Sequence, residues 1–225
     1  MSTGRRRYRW LVPWYLALIF GVPTFVAFGP VFAAAEGLPR LAAVAVAPIL
    51  FAIAMPLVAG LLARLTLDAI VAGKLERDLA NPVYGRRRLY EVCWTAVYYC
   101  PPIYHFVLSV PWMKRATFRL FGYRGSLDVT IHPDTWIRDL PLLELGRGAY
   151  LANKATIGTN VCLPGGKIVV APVCIGREAM VGHLAMLGPG VVLGDGVEIG
   201  VGAAIGFHTQ IGAKSTVGPC AAIHH

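Results

Sequence analysis

Charged side chains are scarce in this sequence, and two long stretches have none. Residues 11–35 and 41–63 contain no Asp, Glu, Lys or Arg, and each exceeds the roughly 20 apolar residues that cross a bilayer core. Hydrophobic residues make up 56% of the chain and its mean hydropathy is +0.59, which argues against an ordinary soluble protein. A signal peptide would be shorter than the first stretch, and a second stretch follows at once. The sequence therefore predicts a retained hairpin of two transmembrane helices.

Acidic residues are also few, with 12 Asp and Glu against 21 Lys and Arg and a formal net charge of +9. Basic residues flank the two apolar stretches, so the positive-inside rule places both chain termini in the cytoplasm. Recognition of anionic lipid is the alternative explanation. A nucleic-acid partner is not expected, because these residues lie beside the bilayer. They are Arg5, Arg6, Arg7 and Arg9 before the first stretch and Arg64, Lys74, Arg77, Arg86, Arg87 and Arg88 after the second.

Cysteine pairs with metal-ligand spacing are absent. The five cysteines include no CxxC pair and are predicted to be free, mostly buried thiols. A zinc lyase would need three convergent histidines, and the repeat region described next offers only two before its last residues. No metal is therefore expected.

What the sequence does have is a six-residue repeat in its C-terminal half. An aliphatic residue recurs at every sixth position without a break in phase, and the next residue is Gly in ten of the fourteen steps. The residue four places on is Ala, Val, Ser or Thr in all but one full unit, where Lys167 stands. The aliphatic positions are Leu145, Leu151, Ile157, Leu163, Val169, Ile175, Val181, Leu187, Leu193, Ile199, Ile205, Ile211, Val217 and Ile223.

This period indicates a hexapeptide solenoid, in which each unit is a short strand plus a turn and three units close a triangular coil. It fits neither an amphipathic helix nor an ordinary strand. Fourteen units predict between four and five coils, with the aliphatic side chains on the prism axis. Ile131, Ile137 and Leu143 are two residues out of phase and are interpreted as an irregular first coil. A protruding turn is predicted at the Pro-Gly-Gly of 164–166.

Prolines and aromatic residues shape the prediction for the middle of the chain. Residues 65–90 are interpreted as a cytoplasmic helix that ends near Asn81-Pro82. Residues 92–113 are uncharged but divided by two prolines. They could form a third transmembrane span or a pair of helices in the membrane interface. The aromatic residues favour the interfacial pair. Residues 114–123 are basic and amphipathic and are predicted to rest on the membrane. The aromatic residues predicted at headgroup level are Trp94, Tyr98, Tyr99, Tyr104 and Trp112.

The repeat region resembles the hexapeptide-repeat acyltransferases, a family with a left-handed parallel β-helix that usually assembles as trimers. Residues 118–122 (Phe-Arg-Leu-Phe-Gly) and 129–133 (Val-Thr-Ile-His-Pro) resemble the entry to the sugar O-acetyltransferases of that family. The membrane helices, the aromatic pre-domain and residues 134–137 and 143–146 also resemble the terminal membrane region of poly-lysine-type nonribosomal peptide synthetases. The fold class is therefore predicted as mixed: an N-terminal transmembrane α-helical hairpin plus interfacial helices, followed by a left-handed parallel β-helix.

The resemblance implies acyl transfer from acyl-CoA or acetyl-CoA, with a histidine as general base between neighbouring protomers. His183 and His208 fall at or beside turns of regular units, and both are predicted as catalytic. Since three units make a coil, they are expected about one coil and one corner apart, out of contact within one protomer. His105, in the aromatic segment, and His132, in the first coil, are interpreted as structural.

The sequence also departs from the family. Sugar acetyltransferases often carry a Ser-His or Asn-His pair followed by an acidic residue, and neither occurs at His183 or His208. Glu178 and Asp195 are the candidates to orient the imidazole. No residue is assigned to acyl-CoA binding. The chain ends within a unit at 223–225, which predicts that a partner covers the last coil or that this is a shortened form.

The predicted domains are a basic cytoplasmic tail (1–10), two transmembrane helices (11–64), cytoplasmic or interfacial helices (65–125) and the β-helix (126–225). The predicted function is a membrane-bound acyltransferase that moves an acetyl or acyl group from acyl-CoA to a hydroxyl or amine of a membrane-associated acceptor. Its predicted location is the bacterial inner membrane, with the β-helix on the cytoplasmic side and membrane lipid and two further copies of the chain as partners. The alternative is a non-catalytic trimeric scaffold or accessory subunit of a membrane synthetase or polysaccharide-assembly complex.

Overall fold

The computed structural model describes residues 3–224, without the side chains of residues 3–7 and 9. The chain forms two compact units. One contains the residues up to Leu67 together with Gly85–Phe121, and the other contains Asp68–Tyr84 together with the residues from Gly122 onward. The side chains of the predicted N-terminal basic cluster lie outside the described part, as does His225. The members of that cluster are Arg5, Arg6, Arg7 and Arg9.

Two long apolar helices, α1 and α2, begin the chain and pack against each other. Both are long and apolar enough to cross a membrane, over 24 residues at mean hydropathy 2.0 and 27 residues at 2.5. The predicted pair of apolar helices is thereby confirmed, while its insertion into a bilayer stays a prediction. The helices of the chain are α1 Thr3–Ala33, α2 Leu38–Arg64, α3 Pro82–Tyr98, α4 Pro101–Ser109 and α5 Pro111–Leu120.

The helix predicted for 65–90 is wrong in its first part. The chain there forms a 3-10 turn and the strand β1 (Gly73–Glu76), and α3 begins at Pro82, where the helix was expected to end. The Asn-Pro pair causes the difference, because Asn81 Oδ1 accepts a hydrogen bond of 2.9 Å from the backbone N–H of Val83. Asparagine is a strong N-cap and proline suits the first helical turn, so the pair starts a helix.

The uncharged segment 92–113 is not one straight helix. α3 ends at Tyr98 and α4 begins at Pro101, which confirms the predicted break at the paired prolines. Among the described residues, only α1 and α2 have the length and composition of a membrane span. The location of α4 and α5 at a membrane interface stays a prediction.

Trp94 and Tyr104 were predicted at headgroup level, and this is wrong for both. Each exposes only 1% of its surface. The Trp94 ring packs edge-on against Tyr104 and Phe121, with ring centroids 5.9 and 5.1 Å apart. These edge-to-face aromatic contacts are part of the core of this unit, in which Val97, Ile103 and Val107 are also buried. Tyr99 and Trp112 are exposed at 69% and 54%, and their contact with headgroups stays a prediction.

The second unit is a parallel β-helix with three faces, as predicted. Its fourteen strands give between four and five coils. Sheet 1 contains β2 Thr130–Ile131, β5 Tyr150–Leu151, β10 Met180–Val181, β13 Glu198–Ile199 and β16 Thr216–Val217. Sheet 2 contains β3 Trp136–Ile137, β6 Thr156–Ile157, β11 Met186–Leu187, β14 Ala204–Ile205 and β17 Ala222–Ile223. Sheet 3 contains β4 Leu143–Leu145, β9 Val173–Ile175, β12 Val192–Leu193 and β15 Gln210–Ile211.

The aliphatic residue of each unit lies inside the prism. Leu151, Ile157 and Val181 are fully buried, and the small residue four places on is buried with them, as at Ala155 and Ala185. Burial of these two columns removes the apolar surface of each coil from water, which is the main stabilising term of a solenoid. The handedness of the winding stays a prediction.

Two of the fourteen predicted units are not part of the prism. Leu163 and Val169 belong to an antiparallel hairpin of β7 (Asn160–Leu163) and β8 (Lys167–Val170) that leaves the coil between sheets 2 and 3. The insertion is twelve residues long, which is two full repeat periods. The six-residue pattern therefore continues through it unchanged, and the sequence does not reveal the hairpin. The predicted protruding turn at 164–166 is confirmed as the turn of this hairpin.

The irregular first coil is confirmed. Ile131 and Ile137 lie beside Leu151 and Ile157 of the next coil. The two-residue phase shift is taken up by a 3-10 turn at Leu140–Leu142, just before the third face begins.

The hairpin is held by two sets of contacts within the second unit. Strand β1 pairs antiparallel with β8. The core under this small sheet contains Tyr84, Ile168 and Val170, with Leu75, Leu79 and Leu142 packed against them. The hairpin is therefore an ordered part of the β-helix surface, and the linker from α2 supplies its third strand.

Candidate functional site

His183 lies in the turn that leads from sheet 1 to sheet 2. It stands between β10 and β11 and is half-buried. Its carbonyl accepts a hydrogen bond of 2.8 Å from the N–H of Gly202 in the next coil. Asn153 occupies the same turn position one coil before, because Val181 pairs with Leu151 in the parallel register. The turn position of Asn153, whose side chain is exposed, thus lies one coil spacing, about 4.8 Å, from that of His183.

His208 lies in the turn that leads from sheet 2 to sheet 3 and is exposed. Its backbone is left-handed, with φ of 53°. The imidazole lies directly over Gly190, which holds the same turn position one coil before, and a Cβ on Gly190 would collide with Nδ1 of His208. A side chain at Gly190 would therefore displace this ring, and the positive φ of Gly190, at 80°, also favours glycine there.

Sheet 2 separates the two histidines. His183 precedes β11 and His208 follows β14, so they occupy different coils and opposite edges of one face. This agrees with the expectation that they do not touch within one protomer. Their catalytic role stays a prediction.

None of the outward strand positions of sheet 2 is a charged residue, although the guanidinium of Arg138, which directly follows β3, lies 5.8 Å from the Trp136 ring centroid at one end of this face. Its outward positions are Trp136, Thr156, Met186, Ala204 and Ala222. The corresponding faces of sheets 1 and 3 each carry a glutamate, at Glu198 and Glu144. His183 and His208 therefore border the face whose outward strand positions are uncharged.

A groove of about 570 Å³ lies on this face, and we call it the sheet 2 groove. One wall is the start of the hairpin, at Asn160 and Val161. The floor is Met186, Ala204 and the strand residues beneath them. Pro189, Phe207, Thr156 and His224 complete its margin. The groove is therefore mainly apolar, with polar groups at its two ends.

Neither carboxylate predicted to orient an imidazole does so. Glu178 and Asp195 lie at the third corner of the prism, between sheets 3 and 1, away from the turns of both histidines. Asp195 instead accepts hydrogen bonds from Arg177, whose Nη2 and Nε lie 2.8 and 3.0 Å from Oδ2. This hydrogen bonding by Arg177 holds the pKa of Asp195 below its usual range. The prediction was wrong because sequence proximity to His183 does not place a side chain at the same corner.

The other two histidines have different surroundings. His132 Nε2 lies 2.8 Å from the Tyr150 hydroxyl, and the two rings meet edge-on. His105 is exposed on α4. Within residues 3–224, no group of three or more His, Cys, Asp or Glu side chains converges in a way that would hold a metal.

Three features of this region, at Asn153, Gly190 and Asp139, were not predicted from the sequence. Asn153 could have been found from the sequence. It lies 30 residues before His183, which is one coil of 18 residues plus the 12-residue insertion. The space over Gly190 could not have been found from the sequence, because glycine occurs in nearly every turn of the repeat. Asp139 is buried at the hairpin base, and its Oδ2 accepts hydrogen bonds from Thr159 Oγ1 (2.7 Å) and Asn160 Nδ2 (2.9 Å).

Comparison with known proteins gives distant structural similarities. No family model matches the chain, and no curated protein matches it. A maltose O-acetyltransferase from Clostridium difficile is similar at 16% identity over 56% of this chain and 82% of its own, with a TM-score of 0.41. A hexapeptide-repeat-containing acetyltransferase from Vibrio cholerae shares 12% identity over 55% of this chain and 86% of its own, at 0.41.

A serine acetyltransferase in complex with CoA is similar over 95% of this chain and 93% of its own, at 14% identity and a TM-score of 0.41. All three solved structures are acetyltransferases. With TM-scores below 0.5, these similarities are too distant to decide the activity of this chain, which has to be argued from its own residues.

Proposed function

We propose that this protein is a membrane-bound acyltransferase that moves an acetyl or acyl group from acyl-CoA to a hydroxyl or amine of a membrane-associated acceptor. One observation carries the proposal: His183 and His208 border the only one of the three β-helix faces whose outward strand positions, within the described residues, include no charged residue. Imidazole is the side chain best suited to take a proton near neutral pH. An apolar face with a groove suits an acyl thioester.

His183 is the general base in this proposal. Neutral imidazole accepts the proton of the acceptor O–H or N–H while that atom attacks the thioester carbonyl. The C–S bond then breaks, and the imidazolium returns the proton to the leaving sulfur, so that CoA departs as a thiol. A backbone N–H at a neighbouring turn supplies the hydrogen bond to the developing oxyanion.

Asn153 supports this assignment of His183. Its amide lies one coil away at the same corner, where it has both a donor and an acceptor for an acceptor hydroxyl. Orienting the nucleophile is worth several orders of magnitude in rate. His208 is the second candidate base, since it directly follows Phe207 at the groove margin.

The membrane part of the proposal rests on α1 and α2. Their length and composition suit two spans, and the flanking basic residues favour a cytoplasmic β-helix in a bacterial inner membrane. A left-handed winding, a homotrimer and a place in a synthetase or polysaccharide-assembly complex follow from the sequence resemblances and are proposed with it. Membrane attachment would confine an amphipathic acceptor and the β-helix to one thin layer.

A non-catalytic trimeric scaffold is the second candidate. The observation in its favour is that Glu178 and Asp195 both lie away from the two imidazoles. An uncharged face would also suit burial against another copy of the chain.

Thiol release from acetyl-CoA and longer acyl-CoAs tests the choice between the two. The full chain in lipid nanodiscs is compared with His183→Ala, His208→Ala and, as a matched control, His105→Ala on the helical unit. We expect the loss of the base to lower kcat/KM by about 10²-fold or more, while His105→Ala leaves it unchanged. Equal turnover in all four proteins would exclude both histidines, and no turnover in any would favour the scaffold.

A further inference from the structure

The sheet 2 groove has the dimensions of a hydrocarbon chain. It extends from Thr156 in the second coil to His224 in the fifth, across three coil spacings. Parallel strands lie about 4.8 Å apart, which makes roughly 14 Å. An extended chain advances about 1.2 Å per bond, as polypeptide backbones do. The part of the groove that the described residues line is therefore as long as roughly ten to twelve carbons.

The lining of the groove suits an uncharged and flexible occupant. Val161, Met186, Pro189, Ala204 and Phe207 contribute apolar surface, and no charged residue is among the lining side chains of this groove. Methionine and aromatic side chains adapt well to alkyl chains. Polar groups occur only at the ends, at Thr156 and Asn160 and at His224.

The wall of the groove is fixed in position before any ligand arrives. Asn160 donates a hydrogen bond to the buried carboxylate of Asp139, and Val161 pairs with Val169 across the hairpin. Strand β1 pairs with the far side of the same hairpin. A preformed groove binds a chain without the cost of ordering a loop.

Both candidate bases stand in turns that flank the sheet carrying this groove, and neither imidazole is among its lining side chains. His208 directly follows Phe207, and His183 precedes Met186 by three residues, at most roughly 11 Å of extended chain. A thioester at the groove margin would thus meet a base while its hydrocarbon lies along the sheet.

We propose that the sheet 2 groove holds the hydrocarbon chain of the acyl donor, so that the protein prefers medium-chain acyl-CoA of about eight to twelve carbons over acetyl-CoA. This inference rests on the proposed acyl transfer and names its donor. The competing occupant of an apolar face is a second copy of the chain, which the experiment below also detects.

The first test is the dependence on chain length. Thiol release by the full chain in nanodiscs is measured with acyl-CoAs from two to sixteen carbons. Burial of a methylene in a half-open groove is expected to raise kcat/KM about twofold to fourfold per carbon, up to a maximum near ten carbons. A flat profile with clear turnover would leave the proposed function standing and overturn the groove assignment.

The second test uses two methionines at equivalent positions. Met186 and Met180 lie in the same coil, each facing outward, with 52% and 42% of their surface exposed, so neither substitution disturbs the core. Met186→Gln is expected to lower kcat/KM for decanoyl-CoA at least fivefold more than it lowers kcat/KM for acetyl-CoA. Met180→Gln, on sheet 1, is expected to change neither. Equal effects of both substitutions would contradict the proposal.

The third test does not depend on turnover. Decanoyl-CoA carrying a photoreactive diazirine in its chain is irradiated with the protein, and the labelled peptides are identified by mass spectrometry. Labels on the peptides containing Val161, Met186 and Phe207 support the groove even if no thiol is released, in which case only the proposed reaction fails. Labels confined elsewhere, together with a change of oligomeric mass on Met186→Gln, show that another copy covers the face and overturn the proposal.

Discussion

At the scale of single residues, the environment of the two candidate imidazoles differs more than their sequence context does. His183 and His208 both stand in turns after a glycine-containing unit, yet one is half-buried and the other lies exposed over Gly190. A repeat pattern reports which residues are at turns. It does not report which neighbouring coil leaves space for a ring, because that depends on the residue eighteen positions away.

Gly190→Ala is expected to displace the His208 ring, because the new Cβ would collide with Nδ1. It also places a side chain at positive φ, which costs about 1–2 kcal/mol. Gly196→Ala is the matched control, since its φ is 65° and its Cβ would meet only Lys214 Cγ at 3.7 Å. Carbethoxylation of His208 should be faster in Gly190→Ala than in Gly196→Ala, while thermal unfolding shifts similarly in both. Equal reactivity in both proteins would contradict the packing of this imidazole over Gly190.

At the scale of elements, the sequence allowed the β-helix to be predicted almost completely, because its period of six matches no other regular structure. The positions inside the prism, the first coil and the protruding turn were all foreseen. Leu163 and Val169 were not recognised as hairpin residues, since an insertion of two whole periods leaves the phase intact. The Asn81-Pro82 pair suits both the end and the start of a helix in sequence, and the hydrogen bond from Val83 N–H to Asn81 Oδ1 places it at the start of α3.

The aromatic helices show the opposite difficulty. Trp94 and Tyr104 look the same in sequence whether they face a membrane surface or a protein core. The core position follows from the packing of α3, α4 and α5, which the sequence pattern does not reveal.

The buried carboxylate at the base of the hairpin is testable at this scale. Asp139→Asn keeps an oxygen that can accept from Thr159 Oγ1 and Asn160 Nδ2 but removes its negative charge, so these two hydrogen bonds are no longer charge-assisted. Asparagine tolerates the left-handed backbone at this position, φ 49°, so the change isolates the hydrogen bonds. The expected loss is about 1–3 kcal/mol, seen as faster amide hydrogen exchange in β7 and β8. The exposed Asp128→Asn serves as the control, and equal exchange in both variants would contradict an anchoring role.

At the scale of the whole molecule, the proposed topology places the β-helix in the cytoplasm. Cys162 and Cys220 are exposed on the β-helix, whereas Cys93 is buried on α3. Burial raises the pKa of the Cys93 thiol to about 12, so it stays protonated and unreactive up to well above pH 8.

A membrane-impermeant maleimide at pH 8 is therefore expected to label Cys162 and Cys220 in inside-out vesicles and not in intact spheroplasts. Cys93 should remain unlabelled in both preparations until the protein is unfolded. Variants that each retain one cysteine show the labelling of Cys162, Cys220 and Cys93 separately. Labelling of Cys162 from outside intact spheroplasts would reverse the proposed orientation.

Acyl transfer is proposed to take place at the sheet 2 face beside His183 or His208. A structure of the full chain in nanodiscs with a non-cleavable thioether analogue of acyl-CoA would show where the acyl donor binds. We expect the analogue's sulfur at the margin of the sheet 2 groove, with the imidazole of one of these two histidines within about 3.5 Å of the reacting position. An analogue bound at another face, or a sheet 2 face sealed against another copy with no ligand, would contradict it.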